Sequence, residues 1–459
     1  MEKILPIYYS EYGRYLTRFR AIPFYVDCLT PVQRRLLLVL HEIAKTSFKK
    51  SAKVIGQLIG SYHPHGDQSA YKTLINMVHQ GFVDKQGSWG NEALVDTKAA
   101  AYRYTECKLS KWVKDLAFDY IDFVPWDEYE YEKEPLYLPS PIPLGLIGDE
   151  IYTGIAFHRT LIPKYTIHDL TKRLIALLNK ESELPTIIPS ARNCTVIDEG
   201  DEGIDNFELI LQKGEGKITV VPNGKIEKNK IIINGRAPNA TFTRLMDACT
   251  VSEKGKQKEL PLHLVDFSKK YMNIEAIPDK RKADVQQLAQ TLWTNYLIKR
   301  YNINIVLCDH NGNAHEYGID DILLRNYNAW KHAVYYYNIH EARKLFSKKK
   351  DLYIISIIRK IIQQYDVKDL PSILKYFNRD FTKSANIQLE EYDVNTHTWR
   401  LYTETIKDQD IEQVYGRKTI KSLVEIDIDL NKIDNDIQDQ KTQIANIDIN
   451  CFNYLKALL

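Results

Sequence analysis

Along the N-terminal quarter, apolar residues recur every three or four positions in short runs separated by polar turns. "PVQRRLLLVLHEIAK" opens with Pro31 in a first-turn position and sets Val32, Leu36, Val39, Leu40 and Ile43 on one face, which predicts a helix. "SAKVIGQLIGSY" predicts a second helix with Ser51 as N-cap. "GDQSAYKTLINMVHQG" predicts a third, capped by Asp67 and ended near Gly81. The stretch that follows, "VDKQGSWGNEALVDTKAAAYRYTECKL", is Gly-rich and then extended, which suits a hairpin. On an extended strand Tyr102 and Tyr104 face one side and Arg103 the other.

From 136 to 318 the pattern changes to strands mixed with turns, an α+β domain. "GKITVVPNGKIEKNKIIING" reads as hairpin strands around an Asn-Gly turn, and "NINIVLCDHNGNAHEYG" as another with Asn311-Gly312 at its turn. From 319 to 459 the pattern is helical. Leu423, Ile426, Leu430, Ile433, Ile437, Gln440, Ile444, Ile447 and Cys451 step by three and four, a heptad seam with one polar member. The run "DDILLRNYNAWKHAVYYYNIHEARKLFSKKK" is long enough to supply its partner, so an antiparallel intramolecular coiled coil with a helical knob is expected; a helical bundle is the alternative.

Charge sharpens this picture. The net charge is only +2, but residues 1–114 carry 17 Lys and Arg against 9 Asp and Glu, leaving −6 for the rest, beginning with the run "DEYEYEKE". A basic module of helices followed by a hairpin wing describes a winged helix-turn-helix facing DNA. The six cysteines are scattered without CxxC spacing, which fits reduced thiols rather than a zinc ribbon or disulfide scaffold. No run approaches the ~20 apolar residues of a membrane helix, and the start has no apolar signal core, so a cytoplasmic, DNA-associated protein is expected.

The most unusual short motif is "YHPHGD", Tyr62 to Asp67. His63, His65 and Asp67 have a spacing at which imidazoles and a carboxylate can converge on a metal. Gln68 follows where binuclear metallohydrolases carry a further histidine, and no later histidine cluster completes the set. Histidines placed by turn geometry are the other reading. "EGDEG" at 199–203 and Asp427-Ile428-Asp429 are acidic but lack the strand context of a divalent-ion site; the second falls within the heptad helix.

Taken in order, "RAIPFYVDCLTPVQRR", "KKSAKVIGQLIGSYHPHGDQSAYKTLI", "QGSWG", "AAAYRYTECKLS" and "TGIAF" resemble the breakage-reunion subunit of type IIA DNA topoisomerases, the gyrase A and topoisomerase IV C subunit family. A short phage- or virus-encoded subunit is the nearest match in style. The resemblance implies three domains: an N-terminal arm and winged-helix domain over 1–135, an α/β tower over 136–318, and a coiled coil with a helical C-gate dimerisation domain over 319–459. It implies that Tyr104 attacks DNA to give a 5′-phosphotyrosine link, with Arg103, Arg34, His63 and His65 at the scissile phosphate. Arg20, Arg35, Lys53 and Ser69 are implied at the DNA, with Ile155 wedged between base pairs.

These residue types suit the chemistry. A phenol has a pKa near ~10 and is a poor nucleophile at neutral pH until a cation assists it. Arginine is permanently charged and forks onto phosphate oxygens. An apolar wedge bends DNA by unstacking one step. The resemblance places Mg²⁺ in a Toprim domain and ATP on an ATPase, both on a partner subunit, so no metal site is expected in this chain and a homodimer in a heterotetramer is. Gln33 and Thr30 depart from a usual His and Lys, which puts phosphate contacts there in doubt. Gln68 and Lys72 replace the residues that anchor a quinolone–metal bridge, so a weak quinolone response is expected. No β-pinwheel follows the coiled coil, from which relaxation and decatenation without negative supercoiling are expected.

Overall fold

The computed structural model describes residues 5–18, 22–90, 97–129, 132–155, 159–200, 203–250, 259–269, 272–279, 284–418 and 420–459. The chain is mixed α and β and forms two compact units, one of residues 1–330 with 454–459, the other of residues 331–453. The regions 1–135 and 136–318 thus share one unit.

The first unit opens with helix α1 (Leu5–Leu16) and is built around α2 (Pro31–Ile43). Pro31 takes the first turn, and the Gln33 side chain accepts the Thr30 N–H at 3.0 Å, so both departures from the family pattern serve to start this helix. Leu36, Leu37, Val39 and Leu40 are fully buried, and burial extends around the helix because other elements pack on it from several sides. Helix α3 (Ser51–Gln57) starts one residue earlier than expected, with Lys50 rather than Ser51 at its N-cap, and runs into a π-helical turn, Leu58–Tyr62. Helix α4 (Asp67–His79) has Gly66 rather than Asp67 at its N-cap, and Gly81 follows it with φ +81°. Strands β1 (Lys49–Lys50), β2 (Val83–Gln86) and β3 (Glu106–Leu109) form an antiparallel sheet in the order β1-β3-β2, with Val83 opposite Leu109. A short hairpin follows, β4 (Trp126–Tyr129) with β5 (Glu132–Pro135).

Two larger sheets come next. Strands β6 (Ile151–Ile155), β7 (Arg159–Pro163), β8 (Cys194–Asp198) and β9 (Glu215–Pro222) join a fifth strand introduced below. Strands β10 (Gly224–Glu227), β11 (Lys230–Ile233), β12 (Leu262–Asp266) and β13 (Ile274–Pro278) form the second sheet in the order β10-β11-β13-β12. With β14 (Lys299–Asn304) the first has the order β6-β7-β14-β9-β8. Asn223-Gly224 is therefore not a hairpin turn: it passes the chain from one sheet to the other, and the hairpin turn is Lys228-Asn229. Gly224 is required there because a Cβ would lie 2.5 Å from the Trp293 ring. The Asn311-Gly312 hairpin forms as expected, between β15 (Val306–Cys308) and β16 (Ala314–Glu316).

The second unit contains most of a 47-residue helix, Ile319–Tyr365, and the hairpin β17 (Asn386–Asp393) and β18 (Thr398–Thr405). The expected seam at 423–451 forms on three helices, Ile420–Glu425, Leu430–Ala445 and Ile447–Lys456, rather than one. It breaks because Asp429, placed within the helix on sequence grounds, caps Leu430–Ala445 by accepting the Lys432 N–H at 2.9 Å. Lys349 pairs with Asp434, Asn338 with Gln440 and Lys331 with Asp448, so the two arms run antiparallel. Ile354, Ile358, Ile373, Phe377, Ile411, Leu423 and Ile433 form the main core of this unit.

Candidate active site

Helix α2 presents two adjacent arginines, and both turn inward. Arg34 donates to both Asp27 oxygens at 2.8 and 3.0 Å, and Asp27 also accepts the Leu29 and Leu138 N–H groups. Burial by itself would lower the Arg34 pKa, but the Asp27 carboxylate overrides it and holds the guanidinium charged. Arg35 grips Glu134 at 2.6 and 2.8 Å and sends a third N–H to His63 Nδ1 at 3.1 Å. Arg34 is 6% exposed and Arg35 1%. Arg34 and Arg35, expected at the scissile phosphate and the DNA, each have their fork on a buried carboxylate in this structure.

Because a guanidinium only donates, His63 Nδ1 accepts, and the His63 proton sits on Nε2. His63 is buried, and the half-buried His65 stacks on it with ring centres 4.0 Å apart and planes 12° from parallel. The spacing of the motif is a matter of turn geometry. The π turn delivers His63, whose N–H bonds Leu58 O at 2.8 Å; the His65 N–H folds back to His63 O at 2.7 Å; and Gly66 starts α4. A metal held by His63, His65 and Asp67 finds no support in this geometry, with an arginine on His63. Among the described residues, no group of three or more His, Cys, Asp or Glu is placed to hold a metal ion. Glu199, in the acidic run at 199–203, accepts from Arg300 at 2.7 Å; Asp201 and Glu202 lie outside the described residues.

The N-terminal half of α4 shapes the segment that carries Tyr104. Tyr102 donates to Asp67 Oδ2 at 3.0 Å. One turn on, Tyr71 donates to Ala100 O at 2.7 Å and lies 3.0 Å from Thr105 Oγ1. The start of α3 adds two main-chain bonds, Ser51 N–H to Thr105 O at 2.9 Å and Ala52 N–H to Tyr102 O at 3.2 Å. These restraints fold residues 101–104 into a turn closed by Tyr104 N–H to Ala101 O at 2.8 Å, not the extended strand the alternation implied. Tyr102 is drawn back towards α4, whereas Tyr104 is 64% exposed.

Arg103 is exposed, with its guanidinium carbon 4.7 Å from the Tyr104 ring centre. A hydrogen bond to the Tyr104 side chain raises the Arg103 pKa above its ordinary value. "QGSWG" packs behind this turn. Gly87 has φ +92°, and a Cβ there would come within 3.1 Å of Tyr104 O. Trp89 is buried, donates to Gln86 O at 2.9 Å and presents its carbonyl to His79 Nε2 at 3.0 Å.

Of the other expected residues, Lys53 is exposed on α3 next to Ala52, and Ser69 is exposed in the first turn of α4. Ile155 ends β6 and is 71% exposed, on a different sheet from the tyrosine turn. Arg20 lies outside the described residues, as do Ala156 and Phe157 of "TGIAF". Sequence reasoning missed Asp27, Glu134 and Tyr71. Glu134 stood in an acidic run with no pattern to single it out, and Asp27 carried no signal. Tyr71 did carry one: it follows Asp67 by four on a helix, so the two share a face.

The sequence profile of the DNA gyrase/topoisomerase IV A-subunit matches residues 20–450. The chain is 29% identical to the DNA topoisomerase 4 A-subunit of Escherichia coli K12 over 317 residues, 65% of this chain and 42% of that protein. It is 30% identical to the DNA topoisomerase 4 A-subunit of Haemophilus influenzae over 327 residues, 66% and 43% of the two chains. It is 32% identical to the DNA gyrase A-subunit of Clostridium acetobutylicum over 272 residues, 54% and 32%. The chain spans less than half the length of these relatives. With the profile covering nearly all of the sequence, the chain belongs to the A-subunit family of DNA gyrase and topoisomerase IV.

Proposed function

We propose that this chain is the DNA-cleaving and religating subunit of a type IIA topoisomerase, and that Tyr104 is its nucleophile. The observation that carries this reading is the pairing of an exposed Tyr104 with Arg103 on a turn tied to α3 and α4. In the reaction the Tyr104 hydroxyl oxygen forms a bond to phosphorus as the bond to the 3′ oxygen breaks. The phenolic proton is lost, and the 3′ oxygen leaves as a hydroxyl. Religation reverses these steps, since the phosphotyrosine ester keeps the phosphodiester energy. Arg103 neutralises charge on the phenolate and on the phosphorane. His63 and His65 are assigned to the scissile phosphate by the family pattern, and the buried Glu134–Arg35–His63 chain fixes the ring on which His65 stacks.

In this reading α2, α3, α4 and β1–β3 are a winged-helix domain, the two larger sheets a tower, and the antiparallel arms of the second unit a coiled coil leading to a C-gate. Lys53 and Ser69 contact the DNA backbone, and Ile155 enters the stack as a wedge. The chain works as a homodimer, each protomer cutting one strand of the duplex. Mg²⁺ and ATP belong to a partner bearing Toprim and ATPase domains.

Reconstitution with such a partner tests the reading. Supercoiled plasmid should be relaxed and catenanes unlinked when both proteins, Mg²⁺ and ATP are present, and by neither protein alone. A reconstituted complex that binds DNA yet leaves its topology unchanged would overturn it.

A further inference from the structure

Lysine 164 follows directly on β7, is 3% exposed, and donates from Nζ to Gln80 Oε1 at 3.1 Å. Gln80, the residue that ends α4, donates in turn from Nε2 to Glu150 Oε2 at 3.2 Å. Glu150 immediately precedes β6. A buried ammonium is uncommon, and this one joins two elements that no sheet connects. Burial pushes the Lys164 amine down to about 8, against the opposing pull of Glu150 and Asp149. Gly148, with φ +143°, leaves room for its stem, since a Cβ there would come within 3.0 Å of Lys164 Cδ.

Register fixes what these contacts hold. In the β6–β7 hairpin, Ile151 pairs with Pro163 and Ile155 with Arg159. Glu150 and Lys164 are therefore the base of the hairpin, and Ile155 stands at its far end, roughly 17 Å away at strand rise. A second bond joins the same places: Arg192 donates to both Asp149 oxygens at 2.7 and 3.1 Å and to His79 O at 3.2 Å. The outer edge of β6 is held independently by Asn239, which donates to Ile151 O at 2.8 Å. Helix α4 thus carries the hairpin base at its C-terminal end. At its N-terminal end, about 20 Å away for thirteen residues, Asp67 and Tyr71 hold the turn that bears Tyr104.

We propose that the Lys164–Gln80–Glu150 bridge is a positioning device that couples seating of Ile155 in bent DNA to alignment of the Tyr104 turn, with α4 as the strut. The inference rests on the topoisomerase reading. Lys164 and Gln80 touch neither DNA nor the reacting atoms; they act through the hairpin and the helix. Removing the bridge leaves the DNA-facing side chains in place, so duplex affinity is retained while bending and cleavage fall together.

The test uses the reconstituted complex and a duplex labelled at both ends, reading affinity by anisotropy, bending by end-to-end energy transfer, and cleavage after detergent quench. Lys164→Met and Gln80→Leu act on the bridge from its two elements, and melting curves establish that each folds; if one does not, the other decides. Near wild-type affinity, a reduced bend and about 10-fold less cleavage are expected. Added to Ile155→Ala, Lys164→Met should lower cleavage no further, because both disable one device. Variants that bend and cleave like wild type would overturn the proposal, as would full bending with lost cleavage, or additive effects in the double variant. Failure of the wild type itself to cleave is a separate result, which removes the topoisomerase reading and this proposal with it.

Discussion

Removing Glu134 would leave the Arg35 guanidinium charged in a place where 1% of the residue meets solvent. Glu134→Ala is expected to destabilise the first unit by about 3–5 kcal/mol, seen as a lower urea midpoint with an unchanged slope; a loss below ~1 kcal/mol would mean the pair is solvated. Tyr71→Phe removes one hydroxyl from Ala100 O and Thr105, at about 1 kcal/mol, and should slow cleavage more than that loss suggests because it frees the tyrosine turn. His41 stacks on Phe118, rings 4.2 Å apart, and burial, with Lys45 and Lys114 adding to it, pushes its imidazole down to about 4. Its ordinary value is 6.5, so as pH falls through 6.5 the unfolded chain takes up the proton first. Stability should therefore drop between pH 6.5 and 4 and level off below, and His41→Leu should flatten that window in a melting-temperature series.

Among elements, the antiparallel arms of the second unit carry one polar step. Gln440 donates to Asn338 Oδ1 at 2.7 Å and to its carbonyl at 3.3 Å. Gln440→Leu alone should lower the melting temperature by stranding Asn338, whereas Asn338→Leu with Gln440→Leu should restore or raise it, the pair setting register at a cost in stability. Such periodic elements were legible: α2, α4 and the arms all show their three-four spacing, and Pro31 and Gly81 mark boundaries from local chemistry alone. The misses share a cause, which is that distant contacts decided them. Asn223-Gly224 signals a bend, but whether the next strand returns to the same sheet depends on Trp293, seventy residues on. Tyr102 and Tyr104 alternate like a strand, yet Tyr71 and α3 fold them into a turn. Arg34 and Arg35 look like surface cations until Asp27 and Glu134 are placed beside them.

For the whole molecule, charge is unevenly spread: +8 falls within residues 1–114 of a chain whose net charge is +2. Duplex affinity should fall steeply with salt, and Lys53→Ala should reduce the slope of log affinity against log salt by about one without altering sequence preference. An unchanged slope would remove Lys53 from the backbone contacts. The family is secure from the profile match, and the candidate site was readable as "YHPHGD" and "AAAYRYTECKLS"; the buried carboxylates and the tie between α4 and the β6–β7 hairpin were not, being products of the tertiary fold. The central claim, that Tyr104 is the nucleophile, meets its most direct test in detergent-quenched cleavage of 5′- and 3′-end-labelled plasmid fragments by the reconstituted complex. Wild type, Tyr104→Phe and Tyr102→Phe are compared before and after protease. Protein attached to 5′ ends in wild type and in Tyr102→Phe, and absent only in Tyr104→Phe, is the expected result. Adduct that persists in Tyr104→Phe would contradict it.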